Sequence, residues 1–208
     1  MDVLIAILLG LGSVGVVYAV YRSMSTASGR RAFARLPVTA AADITGPGPY
    51  RLTGQVIPIG QPPRSQASDR PYVARDLRIV ESAGDSGSTR PARQIVDFLL
   101  DDGTGRVLVR ADHASFTLAR DFAAPRTTLD QVPWVDELLR AGGYHNGSPA
   151  TCKIRIYEGV LAPGDRAGVI GHAAPADDHA ASLGASHTIS AESGSHLFIR
   201  AEGASPTQ

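Results

Sequence analysis

Three aspartates lie close together in the middle of this chain, where carboxylates could bind a metal ion or act as an acid pair. They are Asp97, Asp101 and Asp102. The surrounding sequence lacks the spaced oxygen ligands of a calcium loop. Residues 101–105, DDGTG, are instead typical of a tight turn between two strands. We therefore interpret this cluster as a hairpin turn.

A second group of candidate ligands lies between residues 172 and 187. Its members are His172, Asp177, Asp178, His179 and His187. Imidazole and carboxylate groups can bind zinc or nickel. The segment is rich in alanine, however, and contains no framework that would fix a coordination geometry. A mobile loop over 172–186 is the favoured interpretation, and a metal site is the alternative.

Side chains for nucleophilic or acid–base catalysis are few. Cys152 alternates with Ile154 and Ile156, which predicts a packed thiol rather than an activated nucleophile. No G-x-S-x-G motif is present. Glu158 and Asp165 lie around a turn, and we expect them to fix it rather than to catalyse a reaction. We predict no catalytic residue, no bound metal and no cofactor.

Composition narrows the function further. The 208 residues include 20 basic and 20 acidic ones, and only 6% are aromatic. This balance does not favour a nucleic-acid-binding surface. One cysteine excludes a disulfide framework and any zinc module built on several thiolates. Lys153 is the one lysine among the 20 basic residues, which is typical of a GC-rich genome and indicates a bacterial source.

Residues 1–22 predict a transmembrane anchor. Residues 3–21 carry no charge, and a helix of that length spans about 28 Å, close to the bilayer core of about 30 Å. Basic residues follow on the C-terminal side, at Arg22, Arg30, Arg31 and Arg35. The positive-inside rule then predicts a single-pass protein of the cell (inner) membrane, with its N-terminus outside and the rest cytoplasmic.

Two alternatives exist for this N-terminal stretch. A cleaved signal peptide would carry its charges before the apolar run, and here they follow it. Residues 10–15 also fit G-x-G-x-x-G, but no acidic residue about 20 positions later and no βαβ alternation follow, as a dinucleotide fold requires. An uncleaved membrane helix is therefore favoured.

Residues 23–48 predict a juxtamembrane linker rich in arginine and alanine. Its arginines could lie on anionic lipid headgroups, at about 1 kcal/mol each. A plain topology signal is the favoured reading, with lipid contact as the alternative.

From residue 49 onwards, alternating apolar residues predict short strands. The strands are expected near 50–59, 72–82, 94–110, 151–161, 166–171, 187–190 and 196–201, with exposed loops at 60–70 and 82–93. One helix is expected, with Asp130 as its cap, Pro133 in its first turn and Gly142 at its end. The predicted fold is mainly β, a small antiparallel barrel or sandwich (OB-like) with one inserted helix, preceded by one transmembrane helix. The β-domain covers 49–201, and 202–208 is expected to be a disordered tail.

Two motifs in this β-domain resemble those of the GIDE family, also called the "beside a membrane" (BAM) domain. The first motif consists of Phe98, Asp102, Gly103, Thr104, Gly105 and Val107. The second consists of Glu158, Leu161, Pro163, Gly164, Asp165 and Gly171. The resemblance covers roughly 49–200 together with the anchor. It implies a barrel-like β-domain held next to a membrane.

In eukaryotes this domain precedes the RING of a mitochondrial ubiquitin and SUMO ligase, but the resemblance does not bring ligase chemistry. A RING holds two zinc ions, each with four Cys or His ligands, and this chain has one cysteine. Our leading hypothesis is a non-catalytic interaction or sensing module with an unknown protein partner and no small-molecule substrate. The alternatives are an E3 ubiquitin-protein transferase relative without its RING, or a metal-dependent hydrolase using segment 172–187.

Overall fold

The computed structural model describes residues 35–83, 86–143, 148–191 and 197–202. The predicted anchor at 1–22, residues 23–34 of the predicted linker and nearly all of the predicted tail lie outside these residues. In the described part of the chain, no helix is long and apolar enough to cross a bilayer.

The described residues form a mainly β structure, as predicted. The strands are β1 (Gly48–Pro58), β2 (Ala74–Ala83), β3 (Ser86–Ile95), β4 (Phe98–Asp101), β5 (Arg106–Val109), β6 (Ser115–Thr117), β7 (Phe122–Ala123), β8 (Thr127–Thr128), β9 (Lys153–Leu161), β10 (Arg166–Pro175), β11 (His187–Ser190) and β12 (Phe198–Ala201). The α-helices are α1 (Pro133–Ala141) and α2 (Asp178–Ser182), and short 3-10 turns cover Ala41–Asp43 and Leu129–Gln131.

Five strands close into a barrel, which confirms the predicted barrel. The order is β1–β4–β5–β11–β10, and β10 pairs back with β1. All of these pairs are antiparallel except β5 with β11, which is parallel. The strand β10 is long enough to pair with β12 over its first half and with β11 over its second half. Closure leaves no unpaired edge among the five strands.

Inward-facing residues of these strands form the main core. They include Leu52, Val56, Phe98, Leu100, Val107, Val109, Val169, Ile189 and Ile199. Full burial of side chains of this size contributes about 1.5–3 kcal/mol each. Each strand therefore turns its apolar alternate residues inward, and the alternation in the sequence determines which face is the inner one.

A second antiparallel sheet, in the order β3–β2–β9–β7, extends from the barrel, and β8 also pairs with β9. One of its faces is covered by α1 through a separate apolar cluster: Leu77, Ile79, Leu129, Val135, Leu139, Ile154 and Ile156. The sheet joins the barrel at Ala74 and Leu161, which lie in the barrel core.

The predicted helix is present, but its predicted cap is wrong. Helix α1 begins at Pro133 after Val132, and no side chain caps it. Asp130 lies one step earlier, in the 3-10 turn Leu129–Gln131. That turn buries Leu129 in the second cluster, which moves the start of the helix beyond the reach of Asp130.

Two predicted loops are in fact ordered elements. Most of 82–93 belongs to β3, which pairs with β2 along its whole length. This strand lies at the edge of its sheet, where ladder hydrogen bonds hold it without an apolar alternation. Of segment 172–186, the first residues continue β10 to Pro175, and α2 follows. Ala180 and Ala185 of this segment pack against Leu99 and Leu108, so alanines here are core residues.

Gly159 marks the closest backbone approach between the second sheet and the segment that follows β6. A Cβ at this position would overlap the carbonyl oxygen of Ala119. We expect Gly159→Ala to lower the free energy of unfolding by about 2–4 kcal/mol, because backbone must move to admit it. Gly46→Ala, where a Cβ meets nothing within 4 Å, should change it by less than about 0.5 kcal/mol. Urea unfolding of the two variants in detergent checks this, and equal effects would contradict the packing.

Candidate functional site

The chain leading into β1 lies against the barrel as a docked segment, residues 35–44. The Thr39 N–H donates to the Arg51 carbonyl at 2.8 Å, and the Arg51 guanidinium donates to the Leu36 carbonyl at 3.3 Å. Ala41 and Ile44 are buried in the barrel core. The second half of the predicted linker is therefore part of the β-domain.

The first motif holds this docked segment through the Asp102 side chain. One carboxylate oxygen accepts from the Ala41 N–H at 2.6 Å. The other accepts from the Thr104 N–H at 2.8 Å, the Thr104 hydroxyl at 2.7 Å and the Gly105 N–H at 3.1 Å. The Thr104 hydroxyl in turn accepts from the Ala42 N–H at 3.2 Å. Asp102 and Thr104 thus satisfy the backbone of the 3-10 turn.

The electrostatics of the aspartate cluster fit this structural use. Burial would raise the pKa of Asp102, but the hydrogen bonds from Ala41, Thr104 and Gly105 outweigh it, and the pKa is lowered. The pKa of Asp101 is lowered by its hydrogen bond from Arg106 and by the Gly103 N–H. Both carboxylates are ionised hydrogen-bond acceptors at neutral pH.

The remaining aspartate of the cluster acts separately. Asp97 accepts from the Ala111 N–H at 2.7 Å. The three aspartates therefore bond to three different backbone sites, an arrangement that suits turns and strand ends rather than a shared proton.

The central residues of the second motif, Pro163, Gly164 and Asp165, form the turn between β9 and β10, and this turn binds β1. The Asp165 carboxylate accepts from the Ala162 N–H at 2.8 Å, and Gly164 has a φ of +89° that favours glycine. The Gly164 N–H donates to the Val56 carbonyl at 2.9 Å, and the Val56 N–H donates to the Asp165 carbonyl at 2.8 Å. The turn is therefore fastened to β1 near the C-terminal end of that strand.

The two motifs meet on opposite sides of β1. Gln55 pairs with Asp101 on one side and with Arg166 on the other. A Cβ on the neighbouring Gly54 would clash with the Asp101 backbone, so this approach requires glycine. Motifs about 60 residues apart in sequence thus form one end of the barrel together with the docked segment, and we call this the motif end.

Two residues of the second motif lie away from its turn. One is Gly171, inside β10 and opposite Tyr50, and the other is Glu158. It lies inside β9, where it pairs with Leu77 and Phe122, and its side chain is fully buried. The hydroxyls of Ser65 and Ser68 donate to its two carboxylate oxygens. Glu158 therefore holds the 60–70 loop onto the second sheet and lies apart from the turn.

Arg70 extends this network from the buried Glu158 to the surface. Its guanidinium lies 4.0 Å from the Glu158 carboxylate and donates two hydrogen bonds to Asp121, at 2.7 and 2.9 Å. The Asp121 hydrogen bond is the main cause of the raised pKa of Arg70. The partners Ser65, Ser68, Arg70 and Asp121 carry no sequence signal of their own. The available clue was Glu158 itself, which alternates with Ile154 and Ile156 along the sequence. This alternation places its carboxylate on a buried face, where a carboxylate requires partners.

The five candidate metal ligands are distributed over different elements, with Asp178 and His179 both in α2. His172 lies on β10 opposite Ser190, and His187 lies on β11 opposite Pro175. Asp177 accepts from the Ala180 N–H at 2.8 Å as the cap of α2, which contains His179. Asp177 also forms an ion pair with Arg110. Among the described residues, no three His, Cys, Asp or Glu side chains are placed to hold a metal ion.

Cys152 is half-buried at the edge of the second apolar cluster. Burial raises the pKa of its thiol, and the carboxylates of Glu81 and Asp136 raise it further. The thiol is therefore neutral and a weak nucleophile at physiological pH.

Comparison with protein-family models, curated proteins and solved structures found no match for this chain. The geometry of the motif end is therefore what bears on function.

Asp102→Asn tests the attachment of the docked segment. An amide cannot accept at both oxygen positions, so one N–H of the segment loses its partner, and we expect a loss of about 1–3 kcal/mol in the free energy of unfolding near pH 7. The pKa of Asp102 is lowered on folding. Its contribution is therefore complete above the unfolded pKa of about 3.9 and is lost as pH falls through the folded pKa.

Urea unfolding of both proteins from about pH 7 down to about pH 3 measures this effect. The difference between wild type and Asp102→Asn should narrow in acid. The exposed Asp112→Asn serves as the matched control and should change little. A difference that stays constant or widens in acid would contradict the role given to this carboxylate.

Ser65→Ala tests the Glu158 network. Removing the hydroxyl leaves a buried carboxylate oxygen without this donor, and we expect a loss of about 1–3 kcal/mol in unfolding free energy. Ser148→Ala, at an exposed position, should change it by less than about 0.5 kcal/mol. Thermal or urea unfolding of both variants provides the comparison, and equal stabilities would show that the network is dispensable.

Proposed function

We propose that this chain is a single-pass membrane protein whose barrel is a GIDE-type (BAM) domain. It acts as a non-catalytic interaction or sensing module on the cytoplasmic side of the cell inner membrane. The observation that carries the proposal is the docked segment. Because residues 35–44 are bound to the barrel, only residues 23–34 separate the anchor from it. Twelve residues reach at most about 40 Å when fully extended, so the barrel stays close to the bilayer.

The motif residues support the same reading. Asp102, Thr104 and Asp165 use their side chains to bind backbone at the motif end. Glu158 is engaged by two serine hydroxyls. In this reading the family-like residues attach the domain to the chain that comes from the membrane, and the partner binds elsewhere on the domain.

Reporter fusions at the C-terminus test the membrane placement. We expect a cytoplasmic fluorescent reporter to be bright, an alkaline phosphatase fusion to be inactive, and both to stay with membranes after carbonate washing. The reverse pattern would contradict the orientation. A shortened protein in the soluble fraction would indicate a cleaved signal and overturn the anchor.

Metal analysis separates this proposal from a metal-dependent hydrolase. The full chain, purified in detergent, should carry far less than one zinc per molecule. Stoichiometric zinc that is lost in His172→Ala and in His179→Ala would contradict a non-catalytic module and would favour the hydrolase.

A further inference from the structure

The second sheet has one face under α1 and an opposite face that carries a group of basic residues. The register places Arg78 opposite Tyr157, and Val80 opposite both Arg155 and Thr89. Residues directly opposite each other share a face, as do alternate residues of one strand. We call this surface the cationic face: Arg78, Val80, Thr89, Lys153, Arg155 and Tyr157.

The charge on this surface is strongly one-sided. Within the part of the chain that the structure describes, Arg78, Lys153 and Arg155 form no ion pair. The neighbouring positions of β7 and β8, opposite Tyr157 and Lys153, are uncharged alanine and threonine. Protein surfaces usually mix the two signs of charge, and here the basic side chains stand together.

Among the described residues, the carboxylate that β2 places on the same face is already neutralised. Asp76, next along β2, lies 3.8 Å from the Arg93 guanidinium and 3.3 Å from that of Arg120. Its side chain is only 11% exposed. Among the described residues, this face of the sheet therefore presents four basic side chains, Arg78, Arg93, Lys153 and Arg155. The Asp76 carboxylate is shared by Arg93 and by Arg120, which lies in the segment before β7.

The shape and chemistry of the cationic face suit a lipid surface. Lys153, Arg155 and Tyr157 follow one another at alternate positions of β9, which spaces them by about 6.6 Å along the strand. Basic side chains can bury their stems while keeping their charge at the headgroups. Tyrosine favours the same interfacial depth, and the apolar Val80 lies on β2 opposite Arg155.

We propose that the cationic face binds the anionic headgroups of the bilayer that holds the anchor. This inference rests on the proposed function, since the anchor brings the sheet to the membrane. Strand β2 leaves the barrel at Ala74, and its ten residues extend about 30 Å. The cationic face therefore lies within about 30 Å of the barrel, and residues 23–34 allow a reach of about 40 Å. Tethering raises the effective concentration of the surface, so a few headgroup contacts suffice.

The test uses the full chain in lipid nanodiscs with a fluorescent reporter on the face. Thr89→Cys in a Cys152→Ser background gives a single site for a polarity-sensitive dye. We expect the emission to rise and shift to the blue in discs with about 30% phosphatidylglycerol, and not in discs of phosphatidylcholine alone. Salt at about 1 M, where the Debye length is about 3 Å, should reverse the change.

Matched variants then separate this surface from general charge. Arg78→Gln, Lys153→Gln and Arg155→Gln together should lower the binding equilibrium about 100-fold, at about fivefold for each cation. The control removes three exposed arginines that form ion pairs elsewhere, by Arg64→Gln, Arg140→Gln and Arg166→Gln. The control should keep the response to anionic lipid.

Each other outcome decides against the inference. No difference in emission between the two lipids, or an equal loss in both triple variants, would overturn it. If the triple variant at Arg78, Lys153 and Arg155 fails to fold, the comparison of the two lipids decides alone. A response to a single-stranded oligonucleotide in neutral discs would assign the face to nucleic acid instead. A chain that enters discs but ignores anionic lipid leaves the proposed function standing, whereas a chain that does not enter discs overturns both.

Discussion

The hydrogen bond from the Ala41 N–H to the Asp102 carboxylate joins residues that are 61 positions apart in sequence. It fastens the chain ahead of β1 to the turn between β4 and β5. With Ala41 and Ile44 in the core, this contact makes the docked segment part of the barrel wall. Without it, a longer and freer connection would join the N-terminal apolar stretch to the barrel, and the proposed closeness of the barrel to a membrane would lose its support. The proposed placement of the domain therefore depends on this one carboxylate more than on any other group.

Carboxylates and basic side chains have different uses in this fold. Asp102, Asp165 and Glu158 point to backbone N–H groups or serine hydroxyls and hold loops in place. Arg78 and Arg155 lie on the open side of the second sheet. The net charge of the whole chain is zero. Several of its acidic side chains form internal hydrogen bonds, whereas some of its basic side chains face outward. The open face of an antiparallel sheet needs no second layer, so it is free to meet a charged surface.

The barrel was predictable because its strands alternate clearly and its turns carry glycine beside aspartate. The residues missed were those whose role comes from distant partners. Strand β3 has no apolar alternation, because it pairs at an edge through its backbone. Ala180 was not recognisable as core, since a small side chain becomes a core residue only through larger neighbours such as Leu99 and Leu108 that pack against it. Likewise, no local pattern connects Ser65 to Glu158, which lie 93 positions apart. The motif residues were found from the sequence, but their meeting around β1 depends on barrel closure.

Amide hydrogen exchange of the full chain in lipid nanodiscs tests the central claim most directly. The claim is that residues 35–44 are bound to the barrel while the anchor is in the membrane. The predicted result is that the amides of Ala41 and Ala42 exchange as slowly, within about tenfold, as the Val56 amide of the barrel wall, because all three are hydrogen-bonded in the same cooperative unit. Exchange of Ala41 and Ala42 at the rate of an unfolded peptide, with Val56 still protected, would contradict it.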